Sequence, residues 1–282
     1  MKIVFMGTPD FSVPALEELA KVHQVAAVVT QQDRPKGRGH KMQYTPVKEK
    51  ALELNIPVYQ PEKVKNPEFV DILREINPDV IVVIAFGQIL SKEILDLPKY
   101  GCINVHASLL PKYRGAAPIQ WAVIDGEEET GVTTMYMAEG LDTGDVIDTA
   151  VIKLDEKETG GSLFDKLAIE GGRLIVETLS KLENGTATRT PQDDEKSSYA
   201  GKITKELGQI DFTKPAVTIE RLIRGLNPWP SAYTTLDGKA MKVWDATVEE
   251  GNVTEKPGEI VEIAKHYIKV ATGENYLKIN EI

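Results

Sequence analysis

Short, unbroken apolar runs alternate with amphipathic stretches through the first half of the chain. Ile3-Val4-Phe5-Met6-Gly7 reads as a strand closed by glycine, and Val25–Thr30, Val80–Ala85, Cys102–His106, Gly131–Ala138 and Val146–Leu154 read as further strands. Runs such as Val80–Ala85 have no polar interruption, which suits a strand covered on both faces. Between the runs lie helix starts. Ser12 is read as an N-cap with Pro14 just inside, and Leu16 and Leu19 fall on one face. Thr45-Pro46 and Asn66-Pro67 repeat the cap-plus-proline pattern, the second leading into Phe69, Leu73 and Ile76 at helical spacing. Ser162 to Leu182 predicts a long helix with Leu167, Leu174, Thr178 and Leu182 near one face. Strands alternating with helices predict an α/β domain: a Rossmann-like, mostly parallel sheet with helices on both faces.

The pattern changes from Asn184 to Lys202, where Gly, Thr, Pro, Gln, Asp and Ser replace the apolar periodicity. This predicts a first domain over 1–188, a linker over 189–204 and a second domain over 205–282. In the second, Ile219, Leu222, Ile223 and Leu226 mark one short helix stopped by Gly225 and Pro228. The remaining runs (Ala232–Leu236, Lys239–Glu249, Gly258–Ala264, Tyr267–Ala271 and Asn275–Ile279) suit a small β-barrel of OB-like type.

Bulk composition narrows the function classes. A length of 282 residues fits two domains, and 41% hydrophobic with 27% charged residues is ordinary globular composition. No apolar stretch approaches membrane-spanning length. The first strand starts at Lys2, so no leader is expected, and a cytoplasmic location follows. Cys102 alone forms no internal disulfide and is read as a buried thiol rather than a nucleophile. The net charge of −10 argues against wholesale nucleic-acid binding but leaves room for a local basic site. The four histidines, 23, 40, 106 and 266, have no paired spacing, and no metal is expected.

Candidate chemistry concentrates in Asn104-Val-His106 and in Leu141-Asp142-Thr143-Gly144-Asp145. Residues two apart on a strand share a face, so the Asn104 amide and His106 ring should project together at a strand end, where open α/β sheets bind ligands. Asp142 on a neighbouring loop can then hold the imidazole in one tautomer and favour its charged form. The plain alternatives are a buried histidine satisfied by a carbonyl, and a turn-forming aspartate. Arg34, Lys36, Arg38 and Lys41, spaced by Gly37 and Gly39, form a basic loop, read either as a solvated surface or as a phosphate-contacting element. Gly7-Thr-Pro-Asp-Phe11 lacks the further glycines of a dinucleotide fingerprint. Trp121 and Trp229 are read as packing residues.

These motifs, with Asp33–Gly39, Ala85-Phe86-Gly87, Asn104–Gly115 and Asn227-Pro-Trp-Pro230, resemble the folate-dependent formyltransferases over nearly the whole chain. Within that family the basic loop and second domain are similar to the branch that acts on charged initiator tRNA. The resemblance implies 10-formyltetrahydrofolate as donor and the α-amine of methionine on initiator methionyl-tRNA as acceptor. It implies Asn104, His106 and Asp142 as catalytic residues. It implies a folate pocket near Phe86, Gly87, Ile89, Ser108, Leu109, Leu110 and Pro111, and tRNA contacts from Arg34, Lys36, Arg38 and Lys41, with Arg38 foremost. Phe11 is a candidate for the methionine pocket, with core packing as the equal alternative. Neither metal nor nicotinamide is implied, and a monomer is expected. Gln32 stands where the family pattern has proline. The pattern also continues past Ile282, so the second domain is expected to be incomplete at its C-terminus. Competing readings are transfer to a nucleotide-linked amino sugar, hydrolysis of the formyl donor, and noncatalytic binding of tRNA or folate.

Overall fold

The computed structural model describes residues 1–36 and 41–282, and in it the apolar runs form one seven-stranded sheet. Its strands are β1 (Lys2–Gly7), β2 (Gln24–Val29), β3 (Val58–Tyr59), β4 (Val80–Ile84), β5 (Cys102–His106), β6 (Glu129–Tyr136) and β7 (Val146–Lys153). Their order is β7-β6-β5-β4-β1-β2-β3. β1 pairs in parallel with β2 and β4, β2 with β3, and β4 with β5, whereas β6 runs antiparallel to β5. Chain order therefore reverses beside β1, the kind of position where a parallel sheet opens a crevice at its carboxyl edge.

Helices cover both faces, as the sequence predicts. Those of this sheet are α1 (Val13–Val22), α2 (Pro46–Glu53), α3 (Pro67–Ile76) and, from Asp165 on, α5 (Gly160–Glu183), whereas α4 (Pro118–Asp125) and α6 (Ala216–Gly225) belong to a separate compact unit. Phe69, Val70 and Leu73 of α3 pack onto Val4, Met6, Ala27, Val29, Ile81 and Val83 of the sheet. α5 lies close on the opposite side because Gly171 and Gly172 have no side chains. A Cβ at Gly171 would stand 3.1 Å from Val105 Cγ1, and one at Gly172 3.2 Å from the main chain of Pro14 and Ala15. Thr45 caps α2 through Lys48 N at 3.1 Å. Ser12 does not cap α1: its Oγ donates instead to Ile84 O at 2.7 Å, tying the β1 turn to the end of β4.

The chain divides into two compact units. One holds Met1–Arg114, Gly131–Ile152 and Asp165–Ser198; the other holds Gly115–Thr130, Lys153–Phe164 and Tyr199–Ile282. In the second, α6 packs on antiparallel strands. β8 (Ala232–Leu236) and β9 (Lys239–Val243) make a hairpin. β10 (Asp245–Glu249), β11 (Ile260–Ile263), β12 (Ile268–Ala271) and β13 (Tyr276–Glu281) form a sheet ordered β10-β13-β12-β11. Ile219, Ile223, Ala232, Val243, Val270, Leu277 and Ile279 fill the core of this unit. The expected strand Lys239–Glu249 is broken at Trp244. Trp229 is 58% exposed and so is not the packing residue expected of it. Trp121 is half-buried and donates from Nε1 to Gly201 O at 2.8 Å.

Candidate active site

β5 sets the site by alternation. Cys102, Asn104 and His106 share one face. Cys102 sits in the core against Ile81 and Val83, and two residues on, at the carboxyl edge of the strand, the same face carries Asn104 and then His106. Burial pushes the Cys102 thiol up to about 12. It donates weakly to Ile94 O and stays a structural group. Asn104 is half-buried, and its amide makes no hydrogen bond within the described residues.

His106 is 7% exposed, with its Nε2 2.8 Å from Tyr113 O. A carbonyl only accepts, so Nε2 carries the hydrogen and donates. Nδ1 is the nitrogen that faces Asp142, 3.7 Å from Oδ2. That separation is beyond hydrogen-bond length but within ion-pair reach. The tautomer is thus set by the Tyr113 carbonyl and not by Asp142, a correction to the expectation. Tyr113 is itself held: its N donates to Ser198 Oγ at 2.8 Å. The turn between them is knitted by Ser108 Oγ to Lys112 O at 2.6 Å and Thr133 Oγ1 to Ser108 O at 2.6 Å.

Asp142 occupies a left-handed conformation, φ 52°, which aspartate tolerates better than most residues. Two residues on, a Cβ at Gly144 would lie 1.6 Å from Tyr136 O, so the loop can lie this close to the end of β6 only with glycine there. Gln192 Nε2 donates to Asp142 O at 2.9 Å and Gly144 O at 2.7 Å. Its Oε1 accepts from Arg114 Nε and Nη2 at 3.0 and 2.8 Å. Arg189 closes the far side of the loop, 3.1 Å from Asp145 and stacked 4.0 Å over Tyr136.

The strand ends at β1, β2 and β4 meet at one atom. Phe86 O accepts from Thr8 Oγ1 and from Gln31 Nε2, both at 3.1 Å. The Phe86 ring is buried in the core, whereas Gly87 (φ 83°) is exposed and Ile89 is 86% exposed. Ser108 and Leu110 are buried and Leu109 and Pro111 half-buried, which makes the 108–111 turn a wall more than a set of free polar groups. Phe11 is also buried.

Of the basic loop, Arg34 is exposed at the start of a short antiparallel pair, Arg34–Lys36 with Lys41–Gln43. Lys36 and Lys41 enter that pair through their main chain, and Arg38 lies outside the described residues. Asp33 anchors its base through Lys48 at 2.5 Å and Gln60 Nε2 at 2.8 Å. Burial alone would raise the Asp33 carboxyl, but the bonds from Lys48 and Gln60 outweigh it and hold the group below its ordinary value. Sequence reasoning missed Tyr113, Arg114 and Gln192 as parts of the site. Only the position of Tyr113 and Arg114 within the 104–115 signature hinted at two of them. Among the described residues no cluster of His, Cys, Asp or Glu could hold a metal ion, and no helix is long and apolar enough to cross a membrane.

A histidine–aspartate pair beside an amide donor at a strand edge matches the chemistry of acyl transfer to an amine. The family profile for formyl transferase matches residues 1–179, and that for the formyl transferase C-terminal domain matches 202–282. The chain belongs to the formyl transferase family. It is 60% identical to the methionyl-tRNA formyltransferase of Agathobacter rectalis, over 100% of this chain and 91% of that protein. It is 56% identical to that of Clostridioides difficile, over 100% and 92%. Among solved structures, the fold is similar to a sugar 3N-formyl transferase crystallised with dTDP and 5-N-formyl-THF, with TM-score 0.73 and 22% identity over 100% of this chain and 99% of that one. This formyltransferase-family chain therefore carries both family segments.

Proposed function

We propose that the protein transfers a formyl group from 10-formyltetrahydrofolate to the α-amine of methionine on initiator tRNA. Asn104, His106 and Asp142 are proposed as its catalytic residues. The observation that carries the reading is the convergence at the edge of β5. Two residues of one strand face share a crevice with a carboxylate 3.7 Å from the imidazole. A co-substrate of the formylfolate class supplies the carbonyl carbon that the amine attacks. The half-buried Asn104 amide donates to the formyl oxygen as it gains negative charge, a kind of contribution worth ~3–4 kcal/mol of barrier. For this step His106 acts as the imidazolium: its Nε2 hydrogen stays on Tyr113 O, and its Nδ1 hydrogen bonds the same oxygen and is then delivered to the departing folate nitrogen as the carbon–nitrogen bond breaks. Asp142 takes up, through water, the proton that the amine loses. No covalent enzyme intermediate is needed.

The exposed segment Gly87–Ile89 with the 108–111 turn is proposed to hold the folate. Arg34, Lys36, Arg38 and Lys41 are proposed to meet the acceptor end of the tRNA. The identity to methionyl-tRNA formyltransferases favours this acceptor over a nucleotide-linked amino sugar, for which the likeness is one of fold. Competition of the two amines for one labelled donor tests it. Label is expected on methionine-charged initiator tRNA and not on the amino sugar; the reverse would replace the acceptor while leaving the chemistry in place.

A further inference from the structure

We infer that Gln192 is a positioning residue for the carboxylate of Asp142, an inference that rests on the catalytic role proposed above. It lies in the segment whose composition reads only as a linker. Its orientation is unambiguous even though amide oxygen and nitrogen are hard to tell apart. Oε1 faces two N–H donors of Arg114, and Nε2 faces two carbonyls, so exchanging them would set donor against donor and acceptor against acceptor.

Those carbonyls belong to Asp142 and Gly144 and bracket the turn that aims the Asp142 side chain. Arg114 is held in turn by Asp194, 2.7 Å from Nη2. It directly follows Tyr113, whose carbonyl holds His106. A single run of bonds thus ties imidazole to carboxylate: His106 to Tyr113, along the chain to Arg114, across to Gln192, and on to the Asp142 loop. Asp142 sits in a left-handed conformation within a glycine-containing turn, and the two Gln192 bonds hold the main chain on either side of that turn. With Nδ1 and Oδ2 already 3.7 Å apart, a further shift of an ångström decides whether proton and charge can be shared.

The test uses Gln192→Leu, which keeps bulk but neither donates nor accepts, and Gln192→Glu, which sets a carboxylate against the two carbonyls. The second carries the test should the first not fold. The expected result is a kcat lowered by about 10- to 100-fold, with KM for 10-formyltetrahydrofolate and for charged tRNA within about twofold. Gln192→Asn, which keeps the amide on a shorter stem, should recover part of the loss. In an Asp142→Asn background, single-turnover rates should fall no further when Gln192 is also changed, because two residues acting through one group are not additive. Wild-type kcat in both Gln192 variants, or the full Gln192 penalty persisting in the Asp142→Asn background, would overturn the inference. Undiminished turnover in Asp142→Asn alone would instead overturn the catalytic assignment on which it rests.

Discussion

At the scale of single residues, the site depends on which atom of each side chain is already committed. His106 spends Nε2 on a carbonyl and keeps Nδ1 for chemistry. Asn104, one strand period before it, keeps its amide. Asn104→Ala should therefore lower kcat by about 10²–10³ while leaving the unfolding midpoint nearly unchanged, as for loss of one oxyanion donor. Steady-state rates beside a thermal melt check both halves. Cys102 tests the other limit of the same strand face. Its thiol is raised from an ordinary value of 9.0 to about 12. The folded state thus holds its proton above the pH at which the unfolded chain releases it. The stability this confers is whole below about pH 9 and is lost as pH rises toward 12. Cys102→Ala should flatten that alkaline loss in pH-dependent unfolding, and the native thiol should resist alkylation at pH 8. The alternation of Asn104 and His106 could be read from the chain because strand geometry is local. Tyr113 could not, since the contact is through a main-chain carbonyl that any residue would supply. Ser12 misled for a related reason: its hydroxyl satisfies a carbonyl 72 residues away.

At the scale of elements, the Leu141–Asp145 loop is the part that a single methyl group would break. A Cβ at Gly144 meets a carbonyl oxygen at 1.6 Å, and the atom it meets is backbone, which cannot swing aside. Gly144→Ala should move the loop, lower stability by about 1–3 kcal/mol, and cost at least tenfold in kcat through Asp142. Chemical denaturation and turnover measured on the same preparation check it. The motif reads as ordinary turn chemistry in the sequence, and the reason for its glycine appears only once β6 stands behind it. The long helix α5 was legible because 3.6-residue periodicity persists over six turns. The two-residue strand β3 was not, since Val58–Tyr59 gives no periodicity to read, and a split at Trp244 leaves no mark in a β-rich run.

At the scale of the whole molecule, an acidic chain of net charge −10 carries one concentrated basic loop, so tRNA binding should depend on that loop and on salt. Arg38→Glu should lower kcat/KM for charged tRNA by at least about tenfold and flatten its salt dependence, with KM for the folate donor unchanged. Rates across a salt series check it. The family segments at 1–179 and 202–282 could be recognised from motifs spread over both halves of the chain. The compact units interleave 115–130 and 153–164 with the C-terminal residues, a feature of tertiary pairing that composition along the chain does not carry. The most direct test is single-turnover formyl transfer from 10-formyltetrahydrofolate to methionine-charged initiator tRNA, comparing the natural chain with Asp142→Asn. Asparagine is the suitable replacement because it keeps the shape and tolerates the left-handed backbone at this position. Transfer by the natural chain, confined to charged tRNA and slowed at least about 100-fold by the substitution with the donor still bound, is the expected result. Equal rates from the two proteins, or formyl appearing on free methionine or uncharged tRNA, would contradict it.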